Sequence, residues 1–326
     1  MARIGQDEWV AQSGERRDRG PGLRGQLSRA ADRVGWWPRL AAVTLLGIVI
    51  GQLLTNVNLQ SVAFNSLLYA LLALGLNIAV GWAGLLDLGY IAFFGFGAYG
   101  FAILSSTPPG GSGGRHLPAI ESIPIVLVAA GVVGVIIGLI ALRLAGDYLA
   151  IVTLFVGQAF VEFVNNVDPG TFGGVNGLFG LDPLHSFGLQ ALTPITYYYV
   201  ALVMVALVAG ILHLLDTSRT GRAWRALRDD PLAAEAMTIP VNKLKVMAFS
   251  FGAIVGALAG TLFAAEQATV FPTNFTANIL ILIALIARVR PWRMLGVVLA
   301  GIVAFGFAAH AIVAAISSSA VAGSPG

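Results

Sequence analysis

Cysteine is absent from the 326 residues, so disulfides, thiolate metal sites and a cysteine nucleophile are all excluded. Charge is scarce as well: 11% of residues are Asp, Glu, Lys or Arg, against ~25% in an average soluble domain. Lysine occurs only at positions 243 and 245, and no GxxxxGK[ST] string exists, so the chain cannot hold nucleotide phosphates through a P-loop of its own. The four histidines, at 116, 185, 213 and 310, have no metal-ligand spacing, and no metal site is expected. What is present is apolar: 57% of the chain is hydrophobic. The fold class this implies is an all-α polytopic membrane protein. The slight basic excess, +3, comes almost entirely from arginines in short blocks between apolar runs. That is the pattern of topology signals and not of a nucleic-acid surface.

A bilayer-spanning helix needs about 20 mostly apolar residues. Nine runs qualify as candidates: 40–55, 62–80, 90–105, 123–144, 148–164, 195–215, 246–265, 277–286 and 295–316, the eighth being short. We therefore expect eight or nine transmembrane helices in one domain, 40–316. Residues 1–39 are polar and rich in Arg and Gly, and are expected to be a disordered cytoplasmic tail; 317–326 are expected to be a flexible C-terminal tail. With the N-terminus inside, Arg143, the 219–228 arginines, both lysines and Arg288, Arg290 and Arg293 all fall on the cytoplasmic side. Segment 165–194 has no Lys or Arg, as an external loop should. Gly252, Gly256 and Gly260 recur every four residues and mark a close helix contact.

One polar stretch interrupts the apolar runs: 216–245, DTSRTGRAWRALRDDPLAAEAMTIPVNKLK. Residues 221–228 read as a helix with Thr220 as N-cap, and Arg219, Arg222, Arg225 and Arg228 form a slowly drifting basic stripe. Headgroup anchoring is the plain reading of that stripe. Asp230 is suited to cap a second helix, 231–238, whose first position is Pro231 and which Ile239-Pro240 stops. Two turns are not stable alone, so contacts must hold them. The residues Leu232, Ala233, Ala234, Glu235 and Ala236 are mostly small and would let the helix sit in a partner's groove.

Polar residues inside the spans are either interhelical hydrogen bonds or the lining of a path. The candidates for a path are Asn65, Asn77, Thr153, Gln158 and Glu162. A reading from another class pairs Asp87 with Asp147 as the dyad of an intramembrane aspartyl hydrolase. The string L-A-G-D around Asp147 lacks the second glycine that such proteases share, and the polar stretch is left unexplained.

GRAWRALRDDPLAAEAM resembles the coupling-helix region of ABC importer membrane subunits, in particular branched-chain amino-acid permeases of the LivM type. So do GLNIAVGWAGLLDLGYIAFFGFGAYGFAIL (75–104), LRLAGDYLAIVTLFVGQAFVEFVNN (142–166), TFGGVNGL (171–178) and LKVMAFSFGAIVGALAGTLFAA (244–265). The chain departs from that family at Thr238, where glycine is usual, and lacks its GG-x-G turn beyond Phe275. The resemblance implies an ABC importer permease-like bundle in a bacterial inner membrane, with no catalysis of its own. It implies partners: cytoplasmic P-loop ATPases carrying ATP and Mg, a second homologous permease, and an external binding protein delivering a Leu/Ile/Val-like substrate. Residues 230–236 would then couple to the ATPase. Urea and short-amide permeases share the TFGGVNGL loop and the span motifs, and are the competing substrate class.

Overall fold

A computed structural model describes residues 35–54, 56–106, 116–144, 146–186, 189–190 and 193–275. The expected spans 277–286 and 295–316, most of the N-terminal tail and the C-terminal tail lie outside them. The chain divides into two compact units, Met1–Ala42 and Val43–Gly326. Of the first, only the opening turns of helix α1 (Trp36–Leu53) are described, where the Trp36 and Trp37 rings meet edge to face at 5.2 Å.

The described residues of the second unit are mostly helical. Helix α2 (Val57–Leu76) is capped by Asn56, whose side chain accepts the Asn58 N–H at 2.9 Å. It runs on into a π-helical turn, Asn77–Trp82. Then follow α3 (Tyr90–Ser105), α4 (Ala119–Ala141), α5 (Asp147–Asn166) and the single turn α6 (Pro169–Phe172). After them come α7 (Pro194–Thr217), α8 (Arg219–Asp229), α9 (Pro231–Ala236) and α10 (Val241–Gln267). Each of the first seven expected spans falls on one of these helices. Six are long and apolar enough to cross a bilayer by themselves, and Tyr90–Ser105 is a shorter apolar helix.

Helix α10 is the centre of the packing. It lies against α3 and α4 along their lengths, and α2 packs against both α7 and α10. Backbone contact is the reason for glycine here: a Cβ at Gly97 would collide with the Ala257 carbonyl, and one at Gly260 with the Phe94 carbonyl. Within the expected stripe Gly260 is therefore indispensable, whereas Gly252 has room for a methyl.

Connections alternate between the two ends of the bundle. At one end, Arg228 reaches the Gly81 carbonyl, and a cleft is shared by the 83–86 and 144–149 connections and the 227–231 junction. At the other, β1 (Leu178–Phe179) pairs antiparallel with β4 (Thr269–Val270), and the Leu181 N–H donates to the Ala268 carbonyl at 3.2 Å. His116 Nδ1 meets Asp182 Oδ2 there at 2.6 Å. A second two-residue pair joins β2 (His185–Ser186) to β3 (Leu189–Gln190). Outward faces of α4 (Val128, Val132, Ile136) and α7 (Val203, Leu207, Ile211, Leu214) are aliphatic, as contact with hydrocarbon requires.

Candidate functional site

The polar stretch folds as a rigid elbow. Helix α8 begins at Arg219 and is capped by Ser218, whose Oγ accepts the Gly221 N–H at 3.3 Å; the expected cap, Thr220, lies inside the helix. Ser218 wins because the chain leaving α7 is extended there, which aims its hydroxyl at the first turn. The helix buries Gly221, Trp224 and Leu227, a repeat of three that holds one stripe against the bundle.

Trp224 is the pin of the elbow. It is fully buried, stacks on Trp82 with ring centroids 6.0 Å apart, and meets Phe251 edge-on at 6.3 Å. Its indole N–H donates to the Leu244 carbonyl at 2.9 Å. One side chain thus joins α8 to the π-helical end of α2 and to the first turn of α10. The sequence offered the two tryptophans but nothing that paired them.

The basic stripe is largely committed within the chain. Arg222 donates to the Thr217 carbonyl at 2.9 Å, Arg225 pairs with Asp216, and Arg228 donates to the Gly81 carbonyl at 2.6 Å. All three guanidinium groups nevertheless remain exposed, so each keeps N–H donors on the surface beside these internal bonds.

Asp230 caps α9 as expected, accepting from the Leu232 and Ala233 N–H groups at 2.9 and 3.1 Å. The helix ends at Ala236, two residues before the expected Thr238, because Thr238 takes a left-handed conformation with φ 62°. The Ile239 N–H returns to the Ala234 carbonyl and the Thr238 N–H to the Glu235 carbonyl, which closes a Schellman motif. That motif normally holds glycine where Thr238 stands. Of the coupling candidates, Ala234 is buried in the chain itself. Pro231, Leu232, Ala233, Glu235 and Ala236 are exposed, and Leu232 (79%) and Met237 (75%) are the large apolar groups that project.

The path candidates do not converge. Asn65 donates to the Ser61 carbonyl of its own helix at 3.0 Å. Asn77 is buried at the start of the π turn. Thr153 is buried; its Oγ1 accepts the Leu88 N–H at 3.0 Å and donates to the Ala150 carbonyl at 3.1 Å, tying the 83–89 connection to α5. Gln158 and Glu162 both lie on the exposed side of α5, with Glu162 accepting from Asn166 Nδ2 at 2.6 Å. Among the described residues, α5 alone of the six long apolar helices and the shorter α3 brings a carboxylate to an exposed face in its interior turns.

Asp87 lies in the connection between the π-helical turn after α2 and the start of α3. It is almost completely buried, and its Oδ1 accepts the Gly89 N–H at 2.9 Å. Burial pushes the carboxyl up to about 7, against the smaller lowering effect of that hydrogen bond. Helix α5 starts at Asp147 itself, with Gly146 at the cap position.

Residues 58–324 match the family model described as branched-chain amino acid transport system / permease component. The chain is 36% identical over 239 residues to the high-affinity branched-chain amino acid transport system permease protein LivM of Escherichia coli (strain K12), covering 66% of this chain and 54% of that protein. The LivM protein of Salmonella typhimurium (strain LT2) matches with the same identity and coverage. A probable LivM permease of Methanocaldococcus jannaschii is 26% identical over 211 residues, 61% of this chain and 59% of that one. The chain thus spans little more than half the length of the curated relatives it matches. No solved structure matches it.

Proposed function

The chain belongs to the family of branched-chain amino acid transport permease components, and from that premise we propose that it is the membrane-spanning subunit of an ATP-driven importer. Its substrate in this reading is a Leu/Ile/Val-like amino acid handed over by an external binding protein. Cytoplasmic P-loop ATPases supply the energy, and this chain does no covalent chemistry. It is a multi-pass protein of a bacterial inner membrane, with the elbow end in the cytoplasm.

The observation that carries the proposal is the pinned elbow. A partner that moves the projecting Leu232 and Met237 acts on a capped helix too short to bend, and the load passes through Trp224 to Trp82 and to Leu244. Helix α10 then delivers it to α3 and α4. ATP can drive such a switch only if the ATPase binds the two states of the permease unequally, and the elbow is where that difference would be felt. A second permease would cover the exposed side of α5, where Gln158 and Glu162 would be costly in lipid and useful beside a hydrated path.

The test is co-purification from solubilised membranes with the neighbouring ATPase. Leu232→Asp with Met237→Asp should release the ATPase while the permease still inserts. Retention of the ATPase with normal leucine uptake would overturn the coupling role. Competition of leucine against urea in uptake then fixes the substrate class.

A further inference from the structure

At the elbow end a cleft of about 420 Å³ lies among the 83–86 connection, the start of α5, the α8–α9 junction and the first turn of α10. Its volume is that of a small-molecule site. Leu85, Leu144, Leu149 and Leu227 form apolar walls, and Arg228 and Lys245 supply two positive charges. Among the described side chains no carboxylate lines it.

The two cations are not equivalent. Arg228 spends one N–H on the Gly81 carbonyl, and its aliphatic stem lies against Gly84. Lys245 is half-buried and makes no hydrogen bond or ion pair among the described residues. A half-buried ammonium facing leucines pays for lost hydration unless an anion meets it. Because the same wall touches Pro231, the first residue of α9, whatever fills the cleft also braces the elbow.

We propose that this cleft is a binding site for a molecule with a single anionic head and a short apolar body, held by Lys245 and Arg228 and by the leucine walls. Two sources offer that chemistry: a branched aliphatic monocarboxylate from the aqueous phase, or the head and upper chain of an anionic phospholipid. With two cations and no acid among the described lining side chains, the site favours a carboxylate without an ammonium over an α-amino acid. It is therefore distinct from any transport path for a zwitterion, and it stands independently of the transport reading.

The full chain in phosphatidylcholine nanodiscs would be titrated calorimetrically with 4-methylpentanoate, leucine and 3-methylbutanol. In parallel, phosphatidylglycerol-doped nanodiscs would be examined for retained lipid by native mass spectrometry. The expected result is one-to-one binding of 4-methylpentanoate (the aqueous source) or selective retention of phosphatidylglycerol (the membrane source). Leucine should bind more weakly and the alcohol not at all. Lys245→Gln should weaken the bound anion about tenfold, and Lys245→Arg should restore most of the affinity. The site does not exist if neither anion binds, or if Lys245→Gln, still monodisperse, binds as the unaltered chain does. Leucine uptake by the assembled importer is scored separately, so loss of one result leaves the other readable.

Discussion

Thr238 is a β-branched residue held at φ 62°, where an L side chain crowds the following carbonyl at a cost of about 1–2 kcal/mol. Thr238→Gly relieves that crowding but adds freedom to the unfolded chain and loses the hydroxyl's bond to Met237 O. The net expectation is a gain of about 0.5–1 kcal/mol, read as roughly threefold slower hydrogen exchange of the α9 amides. Asp87 gives a pH signature. Its carboxyl titrates near 7 in the folded chain and 3.8 is its ordinary value, so the folded state binds the extra proton between those limits. Stability is therefore fully present below about pH 4 and falls as pH rises through 7, by an amount of order 4 kcal/mol at most. Asp87→Asn, which can still accept from Gly89, should flatten a plot of thermal midpoint against pH from 5 to 8 in detergent. An unchanged slope would assign the effect to another group.

At the scale of elements the elbow works because a capped short helix is joined to a pinned one. Trp224→Ala removes the stack on Trp82 and the bond to Leu244, and should cost about 3–5 kcal/mol. Trp224→Phe keeps the ring contact and loses only the hydrogen bond, about 1 kcal/mol. If the pin transmits load, Trp224→Phe assembles normally yet lowers leucine-driven ATP hydrolysis by the complex. Equal turnover in the two proteins would reduce Trp224 to a packing residue. Much of this segment was legible in the sequence because its cues are local: Asp230 followed by Pro231 states where a helix starts, and the apolar lengths state where spans run. The direction each helix faces was not legible. Two turns of nearly uniform small residues carry no moment, so that Ala234 turns inward and Met237 outward is decided by what α9 lies against. For the same reason Ser218, not Thr220, became the cap: both are competent, and the exit angle of α7 chose.

For the whole molecule, the connections alternate between two ends, and the charge count predicts that the elbow end lies inside. The lack of native cysteine makes the check clean. A single cysteine at Leu232 should react with a membrane-impermeant maleimide only after the cytoplasmic side is opened, whereas one at Val175, 75% exposed at the opposite end, should react in intact cells. The reverse pattern would invert the topology.

Sequence by itself determined the class of the protein, the positions of seven helices and the cap of α9. Burying 20 apolar residues in lipid, or ending a helix at Asp-Pro, needs no knowledge of neighbours. Tertiary structure alone decided which polar residues were spent on internal bonds. Thr153 closes on the Leu88 N–H, while Gln158, five residues on, is left on an open face. It also decided that arginines spaced like a headgroup stripe fold back onto Thr217, Asp216 and Gly81. Hydrogen bonds and ion pairs form between groups distant in the chain, and a spacing rule reads only one helix at a time.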